Sequence, residues 1–227
     1  LFPSNIAGLP TWYTIRASKD GYIARRKDSE FLVAMNPETA QEDVKSLTPG
    51  AAVLYDEPLN LSSLRQDLIF YPVPFDKLVA PVCPEAKLRK LVRNMIYDGV
   101  LAHLFGIDVQ EIRAALDGQF GARKAKAADL NWGAVEAGRE FAASKLVKTD
   151  PYQVERMDQT AGKIIIEGNA AAALGCLFAG VTVVPWYPIT PSSSMIDALA
   201  AYLKRFRVDK ETGKANFAVV QAEDELA

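Results

Sequence analysis

Cysteine is almost absent from this 227-residue chain, with Cys83 and Cys176 the two copies, and histidine occurs once, at His103. Two cysteines cannot build a disulfide framework, and no Cys/His cluster has metal-ligand spacing. Zinc, iron-sulfur and Ser-His machinery are therefore not expected within the chain. An excess of charge of one sign is also lacking: 26 Lys plus Arg face 28 Asp plus Glu, a net charge of −2. No global field draws such a protein onto nucleic acid or an anionic membrane, so neither is expected as a partner and any ligand site is local. Residues 168–194 carry no charged side chain at all, but Gly175, Gly180, Pro185, Pro188 and Pro191 interrupt them. A continuous helix of about 20 residues, the length that crosses a bilayer, cannot be drawn through that stretch. It reads as buried core. No basic segment followed by an apolar run opens the chain, so no secretory signal is read. Leu1 is not a methionine and Ala227 falls in what reads as the first turn of a helix, so a fragment of a longer polypeptide is expected.

What is present is the composition of an ordinary globular protein, 49% hydrophobic and 24% charged, long enough for one large or two modest domains. Short apolar runs at 22–25, 31–35, 51–55 and 68–73 read as strands, with a helix opened by Pro37 between the second and third. After Pro84 the period changes. Leu88, Leu91, Val92, Met95, Ile96, Val100, Leu101 and Leu104 recur at helical spacing up to a stop at Gly106, and helices follow over 109–116 and 122–146. The polar stretch 147–161, with Pro151, reads as an interdomain connection, which gives a first domain over 1–150, a linker over 151–161 and a second domain over 162–227.

The last third reads as strand, loop and helix repeated: strand 163–166, Gly168-Asn169 as turn and N-cap, helix 170–178; strand 181–187, loop 188–193, helix 194–206; strand 217–221, then a helix from Glu223. Right-handed crossovers make these strands parallel and bring the loops after Ile166, Tyr187 and Gln221 to one sheet edge, where ligands bind in open α/β sheets. The fold class is α/β.

Three features at that edge could carry chemistry. Gly168 could admit a phosphate, but the spacing is neither a dinucleotide fingerprint nor a P-loop, and close helix-sheet packing is the favoured reading. In Tyr187-Pro188-Ile189-Thr190-Pro191-Ser192-Ser193-Ser194, two prolines fix the backbone and hold hydroxyls beside a helix N-terminus, a place for a carboxylate ligand or simply a rigid turn capped by Ser192 or Ser193. Glu223-Asp224-Glu225 could complement a helix dipole or share a proton with a ligand nitrogen. Elsewhere, His103 reads as a structural histidine, Cys176 as a small core residue, and Lys204, Arg205, Arg207 and Lys210 as a solvated helix end.

Gly168-Asn169-x-Ala171-Ala172-Ala173-Leu174-Gly175, then Tyr187-Pro188-Ile189-Thr190-Pro191-Ser192-Ser193, then Gln221-Ala222-Glu223-Asp224-Glu225 together resemble the alpha subunit of 2-oxoacid:ferredoxin oxidoreductases, most closely those acting on 2-oxoglutarate. Gly8-Leu9-Pro10-Thr11-Trp12-Tyr13-x-Ile15-Arg16, Val33-Ala34-Met35-Asn36-Pro37 and Pro49-Gly50 before Leu54-Tyr55-Asp56 resemble the gamma-type domain that some members fuse ahead of it. The resemblance implies a gamma-type α/β domain followed by the start of a pyrimidine-binding domain with a parallel sheet. It further implies a thiamine diphosphate enzyme that decarboxylates a 2-oxo acid, passes electrons to ferredoxin and transfers the acyl group to coenzyme A.

In such enzymes a glutamate hydrogen-bonds the aminopyrimidine ring and favours its imino tautomer. The small residues expected one turn beyond it favour Glu225, followed by Leu226-Ala227, with Glu223 as the alternative. The resemblance assigns Thr190 to the substrate carboxylate, with Ser192 and Ser193 beside it, and Tyr187, Pro188 and Ile189 to the wall along the cofactor. Without a Gly-Asp-Gly segment or a cysteine cluster in this chain, it places Mg2+, the diphosphate site and the iron-sulfur cluster on a beta subunit, and the assembly in the cytoplasm. A reading of another class is a non-catalytic α/β module that holds a catalytic partner.

Overall fold

The computed structural model describes residues 10–21 and 24–227. The chain divides into two compact units, one over Pro10–Arg156 and one containing Met157–Ala227.

In the first unit, β1 (Phe31–Ala34), α1 (Ala40–Ser46), β2 (Ala52–Asp56) and β3 (Ile69–Val73) follow in order. The strands form a parallel sheet of order β1-β2-β3, with Phe31 opposite Ala52 and Ala52 opposite Ile69. β2 lies in the centre and Ala52 to Tyr55 are all buried, as a strand covered on both faces requires. Its side chains alternate between two cores. Ala52 and Leu54 join Tyr71, Val73, Phe75, Val92, Ile96 and Val100, whereas Val53 and Tyr55 join Ala34, Val44, Leu61 and Leu68. The strand expected over 22–25 falls partly outside the described residues, and Ala24 and Arg25 are not in a strand.

Four helices complete this unit: α2 (Phe75–Val82), α3 (Ala86–Phe105), α4 (Val109–Phe120) and α5 (Ala125–Lys145). α3 stops at Gly106, which takes the left-handed conformation (φ 70°) that glycine adopts without steric cost. α3 and α5 cross on glycine. A Cβ on Gly99 would land inside the Val135 carbonyl, and one on Gly138 inside the Ile96 carbonyl. α2, over a stretch for which the sequence gives no expectation, contains Pro81 in its last turn.

The segment after α5 is held to this unit, which corrects the expected linker. Asp150 is buried and accepts from the Tyr71 hydroxyl at 2.5 Å, Lys148 Nζ at 2.6 Å and the Tyr152 amide at 2.8 Å. The Val154 amide donates to the Phe105 carbonyl and Arg156 pairs with Glu111. Residues 151–156 are thus fastened rather than free, and the boundary between units lies after Arg156. His103 is exposed and forms no side-chain hydrogen bond among the described residues, which differs from the satisfied structural histidine expected.

The second unit contains α6 (Gly168–Phe178), β4 (Val183–Trp186), α7 (Ser193–Phe206) and β5 (Ala218–Gln221). β4 and β5 are parallel, Val183 opposite Ala218 and Trp186 opposite Gln221, and α7 is their crossover. Ala173, Leu177, Val184, Leu199 and Leu203 form the core, with Phe217 and Val219 against it. Arg207 donates to the Leu177 carbonyl at 3.1 Å, complementing the C-terminal end of α6, so this member of the basic cluster is not simply solvated.

Three expectations differ here. Residues 163–166 are not a strand, and Ile164 and Ile165 are exposed: an apolar run becomes a strand only where an edge pairs with it. Asn169 is not a cap. Glu167 occupies the N-cap position and Asn169 lies inside the first turn of α6. Gly168 does not serve close packing, because a Cβ there would meet nothing within 4 Å.

Candidate functional site

The parallel register of β4 and β5 puts the loop after Trp186 and the segment after Gln221 at the same end of the sheet. The Ala222 amide donates to the Trp186 carbonyl at 2.7 Å, carrying the pairing one residue past the strands. Tyr187 and Glu225, 38 residues apart in sequence, meet there: the phenol donates to Glu225 Oε1 at 2.6 Å. That bond holds the Glu225 carboxyl below its usual range and pushes the Tyr187 hydroxyl up, because each favours the form that completes it. Glu223, two residues earlier, is exposed and makes no side-chain hydrogen bond among the described residues.

Residues 223–227 form bends and a turn rather than a helix. Asp224 Oδ1 accepts from the Leu226 and Ala227 amides at 2.9 and 3.1 Å, which is N-cap geometry. Of the three consecutive acids, then, one caps a turn, one meets Tyr187 and one faces solvent.

The loop before α7 is closed on a single acceptor. The Ile189 carbonyl takes the Ser192 and Ser193 amides at 2.9 and 3.1 Å and both their hydroxyls at 3.0 and 3.1 Å. Ser192 is at the N-cap position but makes no side-chain cap. Both serine hydroxyls are thus turned into the loop. Thr190, in a cis peptide with Pro191, is exposed and its hydroxyl makes no hydrogen bond among the described residues, leaving it open to a ligand. The sequence alone did not disclose the part of Asn169, whose side-chain nitrogen reaches from α6 to the Pro191 carbonyl and to Ser194 Oγ, each at 2.7 Å. Contacts spanning 22 and 25 residues leave no local pattern to read.

A concavity in the first unit is lined by His103, Gly106, Asp108 and Arg139 among others. Its charges are occupied: Arg139 binds both carboxylate oxygens of Glu136 and Asp108 caps α4 through the Gln110 amide. Among the described residues no three His, Cys, Asp or Glu side chains converge as metal ligands, and no helix is long and apolar enough to cross a membrane.

The family described as pyruvate ferredoxin/flavodoxin oxidoreductase matches residues 1–141, more than half of the chain. The chain belongs to this family. A second match, to the thiamine diphosphate-binding domain of pyruvate flavodoxin/ferredoxin oxidoreductases, covers residues 174–227 and so contains both Tyr187 and Glu225. Among curated proteins, the family member from Saccharolobus solfataricus named 2-oxoacid:ferredoxin oxidoreductase subunit alpha is 28% identical over 208 residues, 88% of this chain and 32% of the relative. The protein named 2-oxoacid:ferredoxin oxidoreductase 1, subunit alpha, from Sulfurisphaera tokodaii is 27% identical over 202 residues, 86% of this chain and 31% of the relative. The chain therefore spans about a third of the length of these family members.

A solved family structure, the 2-oxoglutarate:ferredoxin oxidoreductase from Magnetococcus marinus with 2-oxoglutarate, coenzyme A and succinyl-CoA bound, superimposes with a TM-score of 0.73 at 26% identity. The overlap takes in 87% of this chain and 32% of that one. The α/β class and the resemblance to the 2-oxoacid:ferredoxin oxidoreductase alpha subunit are both upheld. The residues present suit one half of thiamine diphosphate: a carboxylate held at the sheet edge is the acceptor that an aminopyrimidine ring asks for.

Proposed function

We propose that this chain contributes the pyrimidine side of a thiamine diphosphate site in a 2-oxoacid:ferredoxin oxidoreductase. The assembly would convert a 2-oxo acid and coenzyme A to acyl-CoA and CO2, with the electrons going to ferredoxin. The observation that carries the reading is the Tyr187–Glu225 hydrogen bond at the ligand edge of the parallel sheet, inside the stretch matched by the thiamine diphosphate-binding domain.

In this reading Glu225 is the catalytic carboxylate. Held ionised by the phenol, it accepts a hydrogen bond from the pyrimidine ring and biases where the ring's proton sits, a role worth on the order of a hundred- to ten-thousand-fold in rate. The cofactor, when bound, supplies the carbon nucleophile that attacks the 2-oxo group. Thr190 offers its free hydroxyl to the substrate carboxylate. Ser192 and Ser193 act through the loop, because their hydroxyls are spent on the Ile189 carbonyl. Pro188 and Ile189 line the approach, with Tyr187 behind Glu225. Glu223 keeps the place of runner-up.

The same reading assigns Mg2+, the diphosphate contacts and an iron-sulfur cluster to a beta subunit and places the assembly in the cytoplasm. 2-Oxoglutarate is the favoured substrate; support comes from the Magnetococcus marinus enzyme, which has 2-oxoglutarate and succinyl-CoA bound.

The test is reduction of ferredoxin or a viologen dye by the complete subunit with its partner, given coenzyme A, thiamine diphosphate and Mg2+, across a panel of 2-oxo acids. Coenzyme A-dependent reduction with 2-oxoglutarate preferred is expected. No reduction with any 2-oxo acid, from an assembly shown to hold cofactor and cluster, would replace the reading with that of a non-catalytic module.

A further inference from the structure

The loop that carries Thr190 has few ties to the rest of its unit. Among the described residues, the hydrogen bonds of 188–194 are local, within the loop and the first turn of α7, except those from Asn169. The Asn169 side chain is half-buried in the first turn of α6. Its Nδ2 is 2.7 Å from the Pro191 carbonyl and 2.7 Å from Ser194 Oγ. The residues that follow it, Ala170 to Ala173, carry no polar side chain, so no neighbour on that turn could replace it. α6 is in turn anchored to α7 through Ala173, Leu177, Leu199 and Leu203. One amide therefore spans the bend that follows Thr190 and ties it to a packed helix.

We propose that Asn169 is a positioning residue: its two N–H bonds fix the Pro191-to-Ser194 bend and thereby hold the Thr190 hydroxyl where a 2-oxo acid carboxylate is bound. This rests on the function proposed above for Thr190. The donor is what matters, since both partners are oxygens that accept from it, and a donor on a packed helix costs less entropy to align than one on a mobile loop.

Two substitutions test it. Asn169→Ala removes the amide, and Asn169→Asp keeps its shape but sets a carboxylate against the Pro191 carbonyl. In the 227-residue chain without cofactor, amide hydrogen exchange is read at Ser192 and Ser193, with Leu199 and Leu203 inside α7 as internal references. Loss of both hydrogen bonds in Asn169→Ala, and of the one to the Pro191 carbonyl in Asn169→Asp, whose carboxylate can still accept from the Ser194 hydroxyl, predicts roughly tenfold faster exchange at the two serines, with the references unchanged. If Asn169→Ala also loosens Leu199 and Leu203, the isosteric Asn169→Asp carries the comparison. In the complete enzyme, KM for the 2-oxo acid rises about tenfold or more while kcat falls less.

Unchanged exchange at Ser192 and Ser193 in Asn169→Asp overturns the clamp. Faster exchange with an unaltered KM overturns its role in positioning substrate. An assembly that turns over no 2-oxo acid even with Asn169 intact would sink the functional reading instead, and the exchange measurement would still decide whether Asn169 holds the loop.

Discussion

The Tyr187 hydroxyl donates to Glu225 Oε1 at 2.6 Å, joining the residue that follows one parallel strand to the turn beyond its neighbour. The bond favours the ionised carboxylate, so Glu225 titrates below its ordinary range. Tyr187→Phe removes the donor and nothing else of similar size. The Glu225 carboxyl carbon, followed by 13C NMR through an acid titration of the cofactor-free chain, should then protonate at higher pH than in the unsubstituted chain. Identical titration curves would show that the bond does not form in solution.

Where α3 meets α5, glycine permits a contact that no other residue could make. A Cβ at Gly99 or Gly138 would fall inside a backbone carbonyl of the opposite helix, Val135 or Ile96, and backbone cannot swing aside as a side chain can. Gly99→Ala and Gly138→Ala should each cost about 3 kcal/mol or more, lowering Tm by roughly 6 °C or more. Gly118→Ala is the contrast: that glycine is exposed inside α4 with open space around its Cβ position, and the substitution should stabilise by about 0.5–1 kcal/mol. Thermal unfolding of the three variants distinguishes crowding from helix propensity.

Asp150 makes the first unit sensitive to acid. Burial alone would raise its pKa, but the hydrogen bonds from Lys148, Tyr71 and the Tyr152 amide outweigh that and leave it lowered. A carboxylate with a depressed pKa contributes stability that is complete above its unfolded value near ~3.9 and is lost as pH falls through the folded value. Asp150→Ala, which leaves the Tyr71 hydroxyl without its acceptor and Lys148 with the Tyr152 carbonyl but no counter-charge, should destabilise by about 2 kcal/mol or more at neutral pH. The difference should shrink toward pH 3. Urea unfolding at several pH values reads both.

Asp98 carries the opposite sign. It is half-buried on α3, without a hydrogen-bond partner among the described residues, and desolvation pushes its pKa to about 6. Its protonated form is favoured by folding, so stability falls as pH rises from about 4 to about 6 and the penalty persists above that. Asp98→Asn should stabilise at pH 7.5, on the order of 1 kcal/mol after allowing for partial solvent contact, and bring no gain at pH 4. A gain of equal size at both pH values would contradict the desolvation account.

The order of elements was legible because hydrophobic period survives in the sequence. Leu88 to Leu104 recur at helical spacing, Gly106 marks the stop, and the apolar run 51–55 after Pro49-Gly50 reads as a strand, which the structure shows buried on both faces. Residues 163–166 have the same apolar character and form no strand, since pairing depends on a neighbour that composition does not specify. α2 has no such signature: it is eight residues long and carries Pro81 in its last turn, too short a stretch for a helical period to stand out.

At the site, the Tyr187-to-Ser193 loop and the Glu223-to-Glu225 acids were visible as motifs, and the parallel topology placed them together. Which way each hydroxyl turned was not. Ser192 and Ser193 face Ile189, Thr190 faces solvent, and Asn169 reaches across 25 residues to Ser194, all decided by tertiary geometry rather than local spacing.

The central claim is that Glu225, rather than Glu223, is the carboxylate that meets the pyrimidine ring. It is tested most directly by kcat for the preferred 2-oxo acid in the complete enzyme carrying Glu225→Gln or Glu223→Gln, each shown to be assembled and loaded with cofactor. The account predicts a loss of about a hundred- to ten-thousand-fold for Glu225→Gln and a change within about threefold for Glu223→Gln, whose side chain is exposed. Near-normal turnover in Glu225→Gln, or the large loss appearing in Glu223→Gln instead, would contradict it.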